Sequence, residues 1–130
     1  EYIVKPNIDV FDEYNAASGN AIKIVTLAPE EEGARQFVAH LKELGVVPSI
    51  GHTGAKCADI QNAVKAGAEN VTHTYNAQSP LHHREIGTVG SALLYDELNA
   101  ELIADTIHVR RLVYRSGRKD RLPRLKIAAI

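Results

Sequence analysis

The chain has 130 residues, enough for one domain or a piece of a larger one, and its 45% hydrophobic content supports a real core. A formal net charge of −1 gives no electrostatic case for nucleic acid or an anionic membrane. No apolar run approaches the roughly 20 residues that cross a bilayer, the first residues lack a secretory-signal pattern, and Cys57 is the only cysteine. These features lead us to expect a reducing, cytoplasmic setting.

In chain order, Pro6 opens an irregular start. Asn7 or Asp9 can cap a short helix over residues 10–17, stopped by Ser18-Gly19-Asn20. Residues 22–27 are apolar and β-branched and read as a buried strand. Pro29 suits a first helical turn, so a helix is expected over residues 30–44, with Ala34, Phe37, Val38, Leu41 and Leu44 on one face and Gly45 ending it. Residues 46–50 form a second strand despite Pro48, which donates no ladder bond. A helix over residues 56–66 closes at Gly67, and a third strand runs over residues 71–74. Residues 75–90 read as a long loop, which in a compact domain is usually functional or disordered. A short helix over 92–98, a strand over 102–104, a helix over 108–115 and a fifth strand over 125–129 complete the pattern.

This order, with strands separated by helical crossovers, predicts an α/β fold with a parallel sheet. No GxGxxG follows the first strand, which counts against a dinucleotide-binding sheet. Glu30, His52, His73 and His108 each fall just past a strand end, and the first three are spaced by 22 and 21 residues, about one βα unit each. In a barrel, all such positions meet on one face. Groups on every strand end favour part of a TIM-type (β/α) barrel over an open sheet.

One carboxylate and two imidazoles from separate strand ends suit a divalent metal, zinc, iron, manganese or cobalt. Singly, each has a plainer explanation. Glu30, with Glu31 and Glu32, is favourable at a helix start without any metal, and His52 can be a turn residue. His73, after an apolar strand, is harder to assign to packing, because a buried histidine needs partners for both nitrogens. Jointly they point to a site. His82, His83 and Arg84 suit an anion, since arginine can grip phosphate through two N–H groups, although a solvated loop explains them as well. Asn76-Ala77 can present a backbone N–H to an anion. His108 follows Asp105 by three residues, close enough to hydrogen-bond, and can polarise a carbonyl. The stretch 110–126 holds eight basic residues and one acid and reads as a solvated helix face. Cys57 reads as inert.

The motifs TLAPE (26–30), SIGHT (49–53), VTHTYNAQSPLHHREIGTVG (71–90) and ELIADTIHV (101–109) resemble N-acetylglucosamine-6-phosphate deacetylases of the amidohydrolase superfamily, over about residues 1–109 and most like Gram-positive versions. The resemblance implies that Glu30, His52 and His73 hold the metal. It implies that Asn76, Ala77 and Arg84 hold the sugar phosphate, that His108 contacts the acetamide, and that His82 or His83 completes the phosphate site across a homodimer. The implied reaction is metal-assisted hydrolysis of N-acetylglucosamine 6-phosphate to glucosamine 6-phosphate and acetate. It involves no nucleic acid and no membrane.

The chain departs from the pattern in three places, one of them the stretch 110–114, which is several residues short against the family. Thr106 stands where the family's ADGxHV motif has glycine. The VTDA motif, which carries a proton-transferring aspartate at the next strand end, is replaced by residues 123–129, PRLKIAA, with Asp120 ahead of the strand. The expectation is a central piece, about half, of the catalytic barrel over residues 1–130, without the flanking strands and small β-sandwich. Such a piece would itself be inactive or a sugar-phosphate-binding remnant.

Overall fold

A computed structural model describes residues 4–116 and 125–128. Five strands, β1 (Ile24–Leu27), β2 (Val47–Ile50), β3 (Asn70–Val71), β4 (Asn99–Ile103) and β5 (Leu125–Ala128), form one sheet in the order β1-β2-β3-β4-β5. Every neighbouring pair is parallel. Sequential order with helical crossovers is the arrangement of consecutive units of a (β/α) barrel. Tyr2, Asp120 with the rest of the basic stretch over 117–124, and Ala129 lie outside the described residues.

Helices α1 (Ile8–Ala17), α2 (Ala34–Glu43), α3 (Cys57–Ala66), α4 (Gly87–Leu94) and α5 (Arg111–Ser116) accompany the strands. Of the two caps open for α1, Asn7 is used: its side chain accepts the Val10 N–H at 3.1 Å. Gly45, at φ 70°, ends α2 as expected. The Val46 N–H donates to the Leu41 carbonyl and the Gly45 N–H to that of Lys42, a Schellman pair.

Register sorts the two faces of the sheet. Leu27, Ile50, Val71 and Ala100 are aligned across four strands and pack with Phe37, Val38 and Leu41 of α2 and Ile60 and Ala63 of α3 in one core. Full burial of each larger side chain is worth roughly 1.5–3 kcal/mol. Pro48 fits because β2 pairs with β3 only from Ser49 onward. Its missing N–H therefore leaves no ladder bond unmade, and its carbonyl accepts the Glu69 N–H at 3.2 Å.

The opposite face is polar. The Thr26 and Thr72 hydroxyls are 2.9 Å apart, and those of Thr72 and Ser49 2.6 Å. The Asn70 amide donates to Ser49 Oγ at 2.9 Å and to Glu101 Oε1 at 2.7 Å. This chain of contacts crosses from β1 to β4. Gly51 lies beneath it: a Cβ there would stand 2.8 Å from Thr26 Cγ2 and 3.0 Å from Thr72 Cβ.

Several expected boundaries move. The helix expected over 30–44 begins at Ala34, because Gly33 is left-handed at φ 85° and cannot extend the helix backward. The loop expected over 75–90 contains two bridges, Thr53 with Gln78 and His82 with Glu85, and ends where α4 starts at Gly87. That start was hidden by glycine. Gly87 sits at φ 57° with Pro80 and Ser79 carbonyls where a Cβ would be, and Gly90 abuts Ile86 and Leu81. The helix expected over 92–98 is the end of this one and stops at Leu94. β3 is shorter than expected, β4 starts at Asn99, and α5 starts at Arg111, leaving His73 and His108 in turns.

Replacing Gly51 by alanine should destabilise the protein by about 1–3 kcal/mol, as for overpacking generally. A thermal melt checks this, and an unchanged melt would show that Thr26 and Thr72 can separate freely.

Candidate metal and substrate site

The turns that follow the strands carry the expected side chains. Their backbones are unusual: among the described residues, the non-glycine residues with positive φ are Asn20, His52 (49°), His73 (33°), Tyr75 (81°), Ala77 (48°) and Thr106 (68°). All but Asn20 follow β2, β3 or β4. Left-handed backbone is unfavourable for L-residues. Its concentration at one end of a sheet is the usual signature of a functional rim.

His52 and His73 come together. Their Nε2 atoms are 2.8 Å apart and their rings meet edge-on at 4.7 Å. The Nδ1 atom of His73 is buried and has no hydrogen-bond partner. Two imidazoles from adjacent strand ends, presenting one nitrogen each to the same point, are a donor pair that suits a divalent cation. The neighbouring Thr74 Oγ1 is likewise buried without a partner, as are Asn15 Oδ1 and Ser91 Oγ elsewhere among the described residues.

Glu30 is not at that point. It lies in the turn ahead of α2, four residues before the helix starts, so it does not act on the helix dipole. One carboxylate oxygen accepts the Gly54 N–H at 2.8 Å and the other accepts the Thr53 hydroxyl. Among the described residues no three His, Cys, Asp or Glu side chains converge as a metal cluster. The expected triad is therefore not brought together: His52 and His73 meet, and the Glu30 carboxylate is held by Thr53 and Gly54 of the turn after β2.

Thr53 ties the three turns together. Besides its bond to Glu30, its N–H donates to the Ala77 carbonyl at 3.0 Å and its carbonyl accepts the Ser79 N–H at 3.1 Å. Ala77, exposed and left-handed, is thereby fixed. Asn76 is turned inward: its N–H and its side-chain amide both donate to the His73 carbonyl, at 3.0 and 3.3 Å.

His82, His83 and Arg84 form an exposed tight turn closed by the His82–Glu85 backbone pair. The two rings lie 4.1 Å apart and His82 Nδ1 accepts the Arg84 N–H at 3.3 Å. The turn is anchored by Glu85, whose Oε1 accepts the N–H groups of Cys57 (2.9 Å) and Gly87 (3.1 Å). These bonds hold the Glu85 carboxyl below its ordinary pKa. Burial pushes the Tyr75 phenol up.

His108 is exposed in the turn after β4. Its Nδ1 lies 2.5 Å from Asp105 Oδ2, while Asp105 Oδ1 accepts the Ile107 and His108 N–H groups, both at 2.8 Å. The His108 contacts are the main reason that the Asp105 carboxyl is lowered to about 2.

Thr53, Glu85 and the Thr26–Ser49–Thr72 hydroxyls are roles that sequence reasoning missed. Their signal was present as alternating Thr and Ser in otherwise apolar strand segments, a pattern that puts hydroxyls on one face.

No family model matches the chain. It is 47% identical over 108 residues to an N-acetylglucosamine-6-phosphate deacetylase of Bacillus subtilis (strain 168), covering 83% of this chain and 27% of that protein. It is 48% identical over 109 residues to a protein of the same name from Lysinibacillus sphaericus, covering 84% and 28%. Among solved structures, N-acetyl-D-glucosamine-6-phosphate deacetylase from Mycobacterium smegmatis superposes with a TM-score of 0.88 at 31% identity, covering 94% of this chain and 32% of that one. The chain thus spans about a quarter of the length of the curated relatives it matches. Among the described residues no helix is long and apolar enough to cross a membrane.

Two outcomes are expected. Replacing Thr106 by glycine should raise stability by about 0.5–1 kcal/mol: relief of left-handed strain is worth about 1–2, less the backbone entropy that glycine adds to the unfolded chain. A lower melting temperature for this variant would contradict that. The Asp105 contribution has a definite pH window. Its folded pKa lies below the ordinary 3.8, so the stabilisation is present above that value and is lost as pH falls toward about 2. Carbon-13 titration of the carboxyl checks it, and a midpoint near 3.8 would refute it.

Proposed function

Taking kinship with N-acetylglucosamine-6-phosphate deacetylases as the premise, we propose that this chain is the metal- and substrate-holding part of such an enzyme. The reaction is hydrolysis of the acetamide of N-acetylglucosamine 6-phosphate, in the cytoplasm, as a step in amino-sugar breakdown. The observation that carries the reading is the convergence of His52 and His73 through their Nε2 atoms at the rim of a parallel sheet.

In this reading His52 and His73 hold a divalent cation, zinc, iron, manganese or cobalt, and Glu30 joins them by exchanging its bonds to Thr53 and Gly54 for the metal. Such a cation, when bound, supplies a water that ionises near neutral pH. The remaining residues bind and orient. Arg84 grips the phosphate with its planar guanidinium, and the backbone at Asn76-Ala77 with His82 or His83 completes the anion site, shared across a homodimer. His108 contacts the acetamide and polarises its carbonyl as negative charge develops on oxygen. The residues act as the central units of the catalytic barrel, with the rest of the barrel and a small β-sandwich as its partners.

One observation favours a second reading, a sugar-phosphate-binding remnant without catalysis. The segment that includes β5, residues 121–130, contains no aspartate or glutamate to transfer the proton to the leaving amine. We therefore expect the chain by itself to bind the phosphosugar and release no acetate from it. Acetate release by the purified chain would overturn that expectation.

Metal analysis tests the central claim. The purified chain should retain a divalent metal, and His52→Ala or His73→Ala should weaken its binding by about tenfold or more. Less than about a tenth of an equivalent of metal in the unaltered chain, with the sheet intact by circular dichroism, would remove the proposed site.

A further inference from the structure

The turn after β4 shows a division of labour on one carboxylate. Asp105 Oδ1 takes the two backbone N–H groups of Ile107 and His108, and Oδ2 faces His108 Nδ1 at 2.5 Å. Resting on the reading of His108 as the acetamide contact, we propose that Asp105 is the positioning residue for that contact. It fixes His108 as the tautomer protonated on Nδ1 and leaves Nε2 as the nitrogen that meets the ligand.

The argument is one of donors and acceptors. An ionised carboxylate only accepts, and Asp105 stays ionised far below neutral pH because of these bonds. A short contact from an acceptor-only oxygen to Nδ1 requires the proton to be on Nδ1. In the neutral ring Nε2 then carries the lone pair; in the charged ring it carries the second N–H. Either way Nδ1 is committed and Nε2 is the free atom, on a ring that remains 53% exposed. The carboxylate that orients a histidine sets which nitrogen does the work, as with metal-binding and triad histidines.

A turn-closing role for Asp105 accounts for the two bonds to Oδ1 and leaves the bond that Oδ2 accepts from the ring unexplained. The turn also keeps Thr106 left-handed at φ 68°, an unfavourable conformation for a β-branched residue, in the geometry that brings residue 108 back over residue 105. The turn follows β4 at the same sheet end as the His52–His73 pair, the end where the proposed substrate sits.

Asp105→Asn provides an almost isosteric test. The asparagine Oδ1 can keep both backbone N–H groups, which places the NH2 group opposite His108 Nδ1. A donor there reverses the tautomer without removing the turn. The readout is the nitrogen-15 shifts of the His108 ring, from long-range proton–nitrogen correlation at a pH where the ring is neutral. Wild type should show Nδ1 protonated and Nε2 unprotonated; Asp105→Asn should show the reverse, with backbone shifts outside residues 103–110 unchanged.

Wild type with Nε2 protonated would overturn the proposal, as would Asp105→Asn keeping the wild-type tautomer. If the variant fails to fold, the wild-type spectrum alone decides. Titration with N-acetylglucosamine 6-phosphate tests the underlying reading separately. A ligand-induced shift at Nε2 supports the contact. A correct tautomer with no ligand response would leave Asp105 in its role and remove His108 from the substrate.

Discussion

The geometry of this protein depends on how closely β1 and the turn after β3 approach across the end of β2. Gly51 permits it. With no side chain there, Thr26 and Thr72 meet by their hydroxyls at 2.9 Å over the β2 backbone. The residues that follow, His52 and His73, are then delivered to one point. The hydroxyl ladder and the histidine pair are consecutive steps along the same two strands. A site on strand ends inherits its precision from the sheet beneath it, and here the fixing element is a polar one, on the face opposite the packed core.

A polar inner face would be costly if its groups lacked partners. Thr26, Ser49, Thr72, Asn70 and Glu101 avoid that cost by satisfying one another. Among the described residues, four buried side-chain atoms lack a partner, and two of them, His73 Nδ1 and Thr74 Oγ1, lie just beyond the ladder; the others are Asn15 Oδ1 and Ser91 Oγ. Left-handed backbone is concentrated in the same turns. Strain and unmet hydrogen-bonding groups thus occur together at the rim, above a well-satisfied sheet, which is what supports the proposed ligand site.

Much of this was legible in the sequence. The period of about one βα unit from Glu30 to His52 to His73 yields the parallel order of β1 to β3, and Gly45 and Gly67 mark helix ends because left-handed backbone suits glycine. The failures have a common physical cause. Gly33 looked like an ordinary helix position and is the left-handed residue that starts α2, which moved Glu30 out of the helix and into the turn beside Thr53. Gly87 and Gly90 looked like loop residues. They are glycine because neighbouring backbone and side chains occupy the space of a Cβ, and α4 runs through them. A glycine demanded by tertiary contact carries no local signature of which kind it is. The positions of the candidate ligands were legible; the bonds that orient them were not, because Thr53 and Glu85 act on residues more than 20 positions away.

The site divides into parts that differ in completeness. The histidine pair is formed, the carboxylate beside it is anchored to the turn after β2, and His108 is locked by its own carboxylate. Each of these arrangements is local to one or two strand ends and can persist in any protein that keeps β1 to β4. In the proposed reaction, proton transfer to the leaving amine needs an acid at a further strand end, and residues 121–130 contain no aspartate or glutamate. In the proposed function, holding a phosphosugar and hydrolysing its amide are therefore separable. In that reading, holding would rest on turns that bind each other through Thr53 and Glu85, and hydrolysis on one more group placed within reach of the same point.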